Sequence, residues 1–183
     1  MPEYRRADTK GGTYFFTVNT YRRQPILTGA SVRLALREGI AKARERFPFE
    51  IQAWVLLPEH LHCIWKLPDG DAEFAKRWGI IKRQVSRRCA MELNREEWLS
   101  VSRRKRDETS LWQRRYWEHC IRNEADFICH VEYLHWNPVK HGLVKRVADW
   151  PYSTFHRYVA QGTYPADWGE DFGESGDESK FGE

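Results

Sequence analysis

The chain has 183 residues, 41% of them hydrophobic, and this length suits one domain with a real core. It contains no run of about 18 apolar residues and no apolar segment after the basic N-terminus, so we expect neither a transmembrane helix nor a secretory signal. The four cysteines, at positions 63, 89, 120 and 129, show no metal-binding spacing. We therefore expect reduced thiols in a cytoplasmic protein.

The net charge of +4 is unevenly distributed. Residues 165–183 carry −6, which leaves +10 on residues 1–164. A body this basic predicts a polyanionic partner, most simply a nucleic acid. We divide the chain into a functional domain, 1–164, and an acidic, partly disordered tail, 165–183. The tail either folds back over the binding surface or is only a solubilising extension.

The first half of the chain predicts strands and a helix. Residues 11–21 are β-prone, and residues 29–47 show the apolar spacing of an amphipathic helix. Residues 49–57 and 60–67 are typical of two further strands. Because the break between these two strands is so short, they predict an antiparallel hairpin.

The second half is richer in helices. Residues 71–93 form a helix whose apolar side chains recur at spacings of three and four, and residues 100–110 form a basic loop. Residues 111–122 are ambiguous between strand and loop. A third helix runs from residue 123 to about residue 136, ending at Asn137-Pro138. This order predicts an α+β domain, a single antiparallel sheet covered by helices and ferredoxin-like.

Two histidines lie one residue apart in the strand at 60–67. Successive side chains of a strand point to opposite faces, so His60 and His62 project from the same face. Two imidazoles on one rigid face can supply half of a metal site. Such a pair also arises by chance, as surface or hydrogen-bonded histidines, so other residues must decide.

The third helix carries a tyrosine beside its apolar stripe. On a helical wheel, His130, Tyr133 and Asn137 share one arc at the edge of the core. A tyrosine in this position commonly packs and makes one hydrogen bond, which is a structural role. Together with the histidine pair, an amide oxygen could instead complete a divalent-cation site, and the phenol would then reach a phosphate bound there.

These residues resemble the single-tyrosine HUH transposases of the IS200/IS605 type. The resemblance rests on His60-x-His62 within "WVLLPEHLHCIW" and on Tyr133-x-x-x-Asn137. It extends to the REP-associated tyrosine transposases through "YRRADTKGGTYFFTVN" and residues 111–159, and covers roughly residues 3–168. It implies an HUH nuclease fold and a metal-dependent endonuclease and strand transferase. The implied substrate is single-stranded DNA with a REP-type hairpin, and the implied intermediate is a 5′-phosphotyrosine.

The resemblance also implies roles for individual residues. His60 and His62 take the places of metal ligands for Mg²⁺ or Mn²⁺, and Tyr133 takes the place of the nucleophile. The third ligand in the wider family is commonly Gln, whereas this chain has Asn137. Because Asn is one methylene shorter, the metal would lie nearer the helix or be reached through water.

Several further side chains have open roles. His130, one turn before Tyr133, is a candidate for proton transfer or phosphate contact, with packing as the alternative. Glu59 either orients an imidazole or caps the turn, and Tyr116 could stack on an unpaired base. Four other histidines show no spacing tied to the strand pair and are expected to be structural or surface residues: His119, His135, His141 and His156.

Basic residues predicted to contact the hairpin backbone cluster between positions 76 and 106, although a solvated face is the alternative. They are Lys76, Arg77, Lys82, Arg83, Arg87, Arg88, Arg103, Arg104, Lys105 and Arg106. Arg5 and Arg6 could reach bases at the foot of the hairpin.

Two other functions stay open at this point. One is a non-catalytic protein that binds nucleic-acid hairpins on the same fold, and the other is a metal-dependent hydrolase in which water attacks. The resemblance implies a monomer, with a dimer as the alternative. It also implies a nucleoid-associated location and no membrane partner.

Overall fold

The computed structural model describes residues 9–169. One antiparallel sheet has the strand order β2-β3-β1-β4, with β1 (Thr13–Asn19), β2 (Glu50–Leu56), β3 (His60–Lys66) and β4 (Trp117–Cys120). The helices of the described residues are α1 (Ala30–Arg46), α2 (Phe74–Leu93), α3 (Val101–Arg104), α4 (Glu124–Lys140) and α5 (Phe155–Ala160). The predicted α+β class, with a helix-covered antiparallel sheet, is confirmed, and the ambiguous 111–122 region contributes a short edge strand.

Both faces of the sheet are covered, so its central strands are buried at nearly every position. Tyr14 and Phe16 of β1 belong to the core between the sheet and helices α1 and α2. Phe15 faces the opposite way, into a smaller core with α4. Thr17 and His62 share that second face and are fully buried. Buried polar side chains need partners, so this face is where a functional site is expected.

Helix α2 begins three residues later than predicted, at Phe74. Asp71 does not cap it directly but forms an ion pair with Arg77, with Oδ2 and Nη2 2.6 Å apart. Arg77 also donates to the main-chain oxygens of Phe47 and Pro48, at 3.1 and 2.7 Å. Arg77 is therefore fully buried and ties α2 to the connection between α1 and β2.

Helix α4 extends further than predicted. The expectation that Asn137-Pro138 ends the helix was wrong, because Pro138 lies inside it and the helix ends at Lys140. Gly142 then adopts a positive φ of 66°. Its N–H donates to the oxygen of Val139 at 2.9 Å, and the next N–H donates to the oxygen of Pro138 at 2.9 Å. This pair of bonds is a Schellman motif, which a glycine at that position permits.

The outer edge of β2 is covered by the segment from Trp150 to Thr154. Leu56 N–H donates to the oxygen of Tyr152 at 2.9 Å, and the indole N–H of Trp150 donates to the oxygen of Leu56 at 3.0 Å. Trp54 and Thr154 exchange hydrogen bonds, with 2.8 Å from the Thr154 N–H to the Trp54 oxygen and 2.9 Å from the Trp54 N–H to the Thr154 hydroxyl. The backbone groups that an edge strand usually exposes are thus paired.

The ends of the chain contribute less. Within residues 9–169, no helix combines the length and apolar content needed to cross a bilayer. Trp168 lies inside the predicted tail but stacks on Tyr164 of the predicted domain, with ring centroids 4.5 Å apart. The division of the chain into residues 1–164 and 165–183 stays a prediction. Arg5 and Arg6 lie outside the described residues.

Candidate active site

His60 and His62 project from β3 towards α4 and are both fully buried. Their ring centroids are 4.8 Å apart, and the ring planes meet at 78°. The lone pair of an imidazole nitrogen lies in the ring plane. Two rings at this angle can therefore direct their nitrogens to one point in space, as a shared ion requires.

Each imidazole has an oxygen partner at Nδ1. The hydroxyl oxygen of Thr17 lies 2.9 Å from Nδ1 of His62, and Oε1 of Glu59 lies 3.3 Å from Nδ1 of His60. An oxygen at one ring nitrogen commonly orients a metal-binding histidine, and here it would leave Nε2 of each ring for a ligand. The hydrogen bond with His60 lowers the pKa of Glu59, so the carboxylate is ionised at neutral pH. Glu59 thus contacts the imidazole, one of its two predicted roles.

Thr17 escaped sequence reasoning. It faces His62 across the β1–β3 ladder, and the register that pairs them follows from the sheet rather than from either strand alone. The available signal was a polar residue between apolar neighbours that pack into the core.

Helix α4 brings Tyr133 and Asn137 to the same face of the sheet. The ring centroid of Tyr133 lies 5.5 Å from that of His62 and 6.4 Å from that of Phe15. Asn137, one turn further along the helix, is fully buried. The structure therefore places the predicted nucleophile against one of the two histidines, with the predicted ligand Asn137 buried one turn further along the same helix.

Lys140 is a second residue that sequence reasoning missed. Its ammonium donates to Oη of Tyr133 at 3.1 Å and lies 4.9 Å from the centroid of the phenol ring. Seven residues make about two helical turns, so the spacing would have shown this pair if the helix had been extended past Pro138. A cation at this distance can stabilise negative charge on the phenol oxygen.

A second cluster joins β4 to the start of α4. Nε2 of His119 lies 2.8 Å from Oδ2 of Asp126, and Nδ1 of His130 lies 3.2 Å from Oδ1 of the same carboxylate. The two rings are stacked, with centroids 4.6 Å apart and planes at 8°. Their ligand atoms and the carboxylate lie within 4.8 Å of one another, yet lone pairs in parallel planes do not converge on one ion.

The charges in this second cluster are strongly coupled. Burial, the largest influence on Asp126, opposes its ionisation. The hydrogen bonds from His119 and from the Arg122 N–H, with the charges of His119 and His130, outweigh burial and lower the pKa of Asp126 to about 2. Burial also lowers the pKa of His130, which favours the neutral imidazole. The His130 ring lies 4.9 Å from Phe15, centroid to centroid, beside the first cluster.

The other singled-out aromatic residues are distributed over the fold. Tyr116 is half-buried and packs with Phe16 and Trp78 on the α1–α2 face, away from the histidine pair. His135 is buried and lies 2.9 Å from the Thr154 hydroxyl, and burial lowers its pKa to about 3.

The two remaining histidines, His141 and His156, are exposed. Nε2 of His156 lies 3.0 Å from the oxygen of Trp150. His141, expected to be unrelated to the strand pair, has its ring centroid 5.1 Å from that of His60.

The predicted DNA contacts separate into two groups. Arg77 and Arg103 are buried, so the expectation that they contact DNA is corrected. Arg103 donates to the oxygens of Thr109 and Trp112, at 3.0 and 3.2 Å, and its guanidinium lies 4.0 Å from the ring centroid of Tyr21. Lys82 is half-buried, and the exposed members are Lys76, Arg83, Arg87, Arg88, Arg104, Lys105 and Arg106. Contact of these eight with DNA stays a prediction.

Comparison with known proteins points in one direction. The profile of the family described as "Transposase IS200 like" matches residues 9–136. A REP-associated tyrosine transposase of Escherichia coli K12 is 49% identical over 171 residues, 93% of each chain. A protein of Haemophilus influenzae is 41% identical over 169 residues, 92% of this chain and 94% of that one.

A solved structure extends the likeness to the fold. It is described as a REP-associated tyrosine transposase bound to a REP hairpin, and it matches with a TM-score of 0.79 and 48% identity. The match covers 97% of this chain and 95% of that chain.

Proposed function

This chain belongs to the IS200-like transposases, among the REP-associated tyrosine transposases, and from this membership we propose that it cleaves and rejoins single-stranded DNA beside a REP-type hairpin. One observation carries the proposal. Two buried imidazoles with separate oxygen partners face a helix that carries a tyrosine. This arrangement fits a transesterification that needs a bound phosphate and an aligned phenol.

Tyr133 supplies the nucleophile. Its Oη attacks the phosphorus, and the bond between phosphorus and the 3′ oxygen breaks. The products are a 5′-phosphotyrosine and a 3′-hydroxyl, and the proton lost by the phenol balances the proton gained by the 3′ oxygen. Because the phosphodiester energy is kept in the covalent intermediate, the 3′-hydroxyl can reverse the step without ATP.

Lys140 contacts the phenol oxygen, and His130 would accept the phenol proton. Lys140, 3.1 Å from Oη, stabilises negative charge on the attacking oxygen. His130 lies one turn before Tyr133, and its lowered pKa favours a neutral imidazole that can accept a proton. These observations support His130 as the proton acceptor.

The donor set fits a divalent cation. Two imidazole nitrogens and the amide oxygen of Asn137 would hold it, and all three side chains are fully buried. Imidazole ligands suit Mn²⁺ and softer ions better than Mg²⁺. When bound, such an ion polarises a non-bridging oxygen of the scissile phosphate. Thr17 and Glu59 keep the two rings oriented for this task.

The DNA partner follows from charge and from the relatives. The solved relative is described as bound to a REP hairpin, and this chain carries +10 on residues 1–164. The exposed bases of α2 and of the 104–106 segment would contact hairpin phosphates, with Arg5 and Arg6 near its foot. We propose that the chain acts as a monomer on nucleoid DNA in the cytoplasm.

An adduct assay tests this function. The protein is incubated with end-labelled hairpin oligonucleotides and Mn²⁺ or Mg²⁺, and covalent species are resolved on denaturing gels. We expect a metal-dependent adduct that is lost in Tyr133→Phe and in the His60→Ala/His62→Ala double variant. Because Tyr133 is half-buried, Tyr133→Phe keeps the packing of the ring and removes only the nucleophile.

Two results would contradict the proposal. Cleavage that persists in Tyr133→Phe without an adduct would indicate a hydrolase in which water attacks. Tight hairpin binding with no cleavage by the unmodified protein would indicate a non-catalytic hairpin-binding protein.

A further inference from the structure

A second basic surface lies on the other side of the sheet, at its β2 edge. A cavity of about 410 Å³ opens between α1, β2 and the segment from Pro151 to Arg157. None of the described residues that line it is acidic. Four of the lining residues are arginines, namely Arg33, Arg37, Arg44 and Arg157. This volume and charge suit a small anionic group or one unit of a polyanion.

Local contacts hold several of these arginines in place. The guanidinium of Arg33 lies 4.7 Å from the ring centroid of Tyr152, and its Nε donates to the oxygen of Thr28 at 3.1 Å. The guanidinium of Arg44 lies 5.2 Å from the ring centroid of Phe49. Arg157 donates to the main-chain oxygen of Gln52. The positive charges are thus organised before any ligand arrives, which reduces the entropy lost on binding.

Aromatic side chains complete the cavity. Trp54 and Tyr152 both line it and are only partly buried. Guanidinium groups beside partly exposed rings are the combination that binds single-stranded nucleic acid, because phosphates pair with the cations while unstacked bases lie on the rings. An acidic protein partner would not use the rings in this way.

The cavity is close to the candidate active site along the sheet, although it faces the other way. Leu56 lines the cavity, and its register partner on β3 is Leu61, which lies between His60 and His62. Val55, next to Leu56, belongs to the core on the α4 face. A DNA strand that leaves the histidine pair would therefore reach the cavity by passing over the segment from Trp150 to Thr154, which covers the edge of β2.

We propose that this cavity, hereafter the arginine groove, binds a single-stranded stretch of DNA that flanks the hairpin. The identity of the strand rests on the proposed function, whereas the affinity for single strands does not. Phosphates would contact Arg37 and Arg44, which are exposed on α1, and a base would lie against Trp54 or Tyr152.

The experiment compares two double variants of the full chain that each remove two positive charges from α1. Arg37→Gln/Arg44→Gln alters the groove, and Lys42→Gln/Arg46→Gln alters the same helix outside the lining. Fluorescence anisotropy measures the affinity for labelled oligothymidylate and for a REP-type hairpin with or without a single-stranded flank. Titrations at several salt concentrations count the phosphate contacts.

We expect the groove variant to bind oligothymidylate and the flanked hairpin about fivefold to tenfold more weakly, with a salt dependence smaller by about one to one and a half in log–log slope. Its affinity for the flankless hairpin should match that of the unmodified protein. The Lys42→Gln/Arg46→Gln variant should lose less than half as much affinity.

Equal losses in the two double variants, or losses that do not depend on the single strand, would overturn the proposal. Because oligothymidylate binding needs no cleavage, the groove can stand when the adduct assay fails. The adduct assay can likewise succeed when the groove is refuted.

Discussion

Two pairs of imidazoles lie on the same face of the sheet, and their geometry gives them different chemistry. His60 and His62 meet at 78°, and each has its own oxygen partner at Nδ1. His119 and His130 lie parallel, at 8°, and share the carboxylate of Asp126. In the first pair the remaining nitrogens can converge on a cation. In the second pair Nε2 of His119 is already bonded to the carboxylate of Asp126, and Nδ1 of His130 to the main-chain oxygen of the same residue.

The difference shows that ligand type alone does not identify a metal site. Both clusters contain the side chains that bind divalent ions, but only in the first are the ring planes inclined so that lone pairs lying in those planes could meet. The parallel cluster instead fastens β4 to the first turn of α4. By fixing that turn, Asp126 also fixes His130, and through the helix it sets the position of Tyr133 over the first pair.

We expect the largest effect from removing a histidine of the first pair, because only that pair is expected to bind the metal. His62→Gln should abolish the Mn²⁺-dependent rise in melting temperature and reduce adduct formation by about a thousandfold, because the metal contributes several kcal/mol to the transition state. Thermal melts with and without Mn²⁺, beside the adduct assay, check this. His119→Gln is the matched control and should retain the metal response. A metal response lost only in His119→Gln would reverse our assignment.

A smaller effect should appear in stability rather than in metal binding. Asp126→Asn should lower the free energy of unfolding by about 2 kcal/mol at pH 7, because the pKa of Asp126 is lowered to about 2 in the folded chain. A depressed carboxylate pKa stabilises the fold above pH 4, and that contribution is lost as pH falls towards 2. The gap between the two proteins should therefore narrow over this range.

Urea unfolding between pH 7 and pH 2.5 measures that gap. Glu124→Gln, a change at an exposed acidic residue in the same helical turn, is the control and should cost little. A gap that stays constant with pH would mean that Asp126 acts through packing rather than through charge.

The orienting oxygen of the first pair gives the next prediction. Thr17→Val removes the hydroxyl 2.9 Å from Nδ1 of His62 but preserves the side-chain shape, so Mn²⁺ affinity should fall about tenfold. Isothermal titration calorimetry measures the affinity. Thr17→Ser keeps the hydroxyl and should bind as the unmodified protein does. An unchanged affinity in Thr17→Val would show that packing alone orients the ring.

The smallest effect concerns the attacking oxygen. Lys140→Met should slow adduct formation about fivefold at pH 7, since a partly exposed cation contributes about 1 kcal/mol. The deficit should shrink as pH rises towards the ordinary phenol pKa, where hydroxide removes the proton. Rapid-quench measurements from pH 7 to pH 9.5 test this, with Lys140→Arg as the charge-preserving control. A deficit that is the same at every pH would assign Lys140 to packing.

The histidine pair could be predicted from sequence because its two members lie on one strand, and strand geometry alone sets their common face. Tyr133 and Asn137 were likewise accessible through the period of a single helix. Thr17 and the His119–Asp126 contact could not be found in this way. The first depends on which strands become neighbours and on their register. The second depends on how the connection after β4 places the first turn of α4.

Two misjudged residues show the limits of local rules. Asn137-Pro138 is a common end of a helix, yet here the helix continues through Pro138 to Lys140, and the Schellman bonds at Gly142 end it there. Arg77 belongs to a basic run that is typical of a DNA contact. Arg77 can be buried because its guanidinium donates to the carboxylate of Asp71 and to two loop carbonyls. Helical spacing alone does not reveal these partners.

The covering of β2 has a consequence for how copies of this chain can meet. Open strand edges are templates on which proteins polymerise into continuous sheets. Here the outward amide and carbonyl groups of Trp54 and Leu56 are already occupied by the segment from Trp150 to Thr154. A second copy cannot add its sheet along this border unless that segment first detaches. The same short stretch that lines the arginine groove thus also blocks edge-to-edge association along β2.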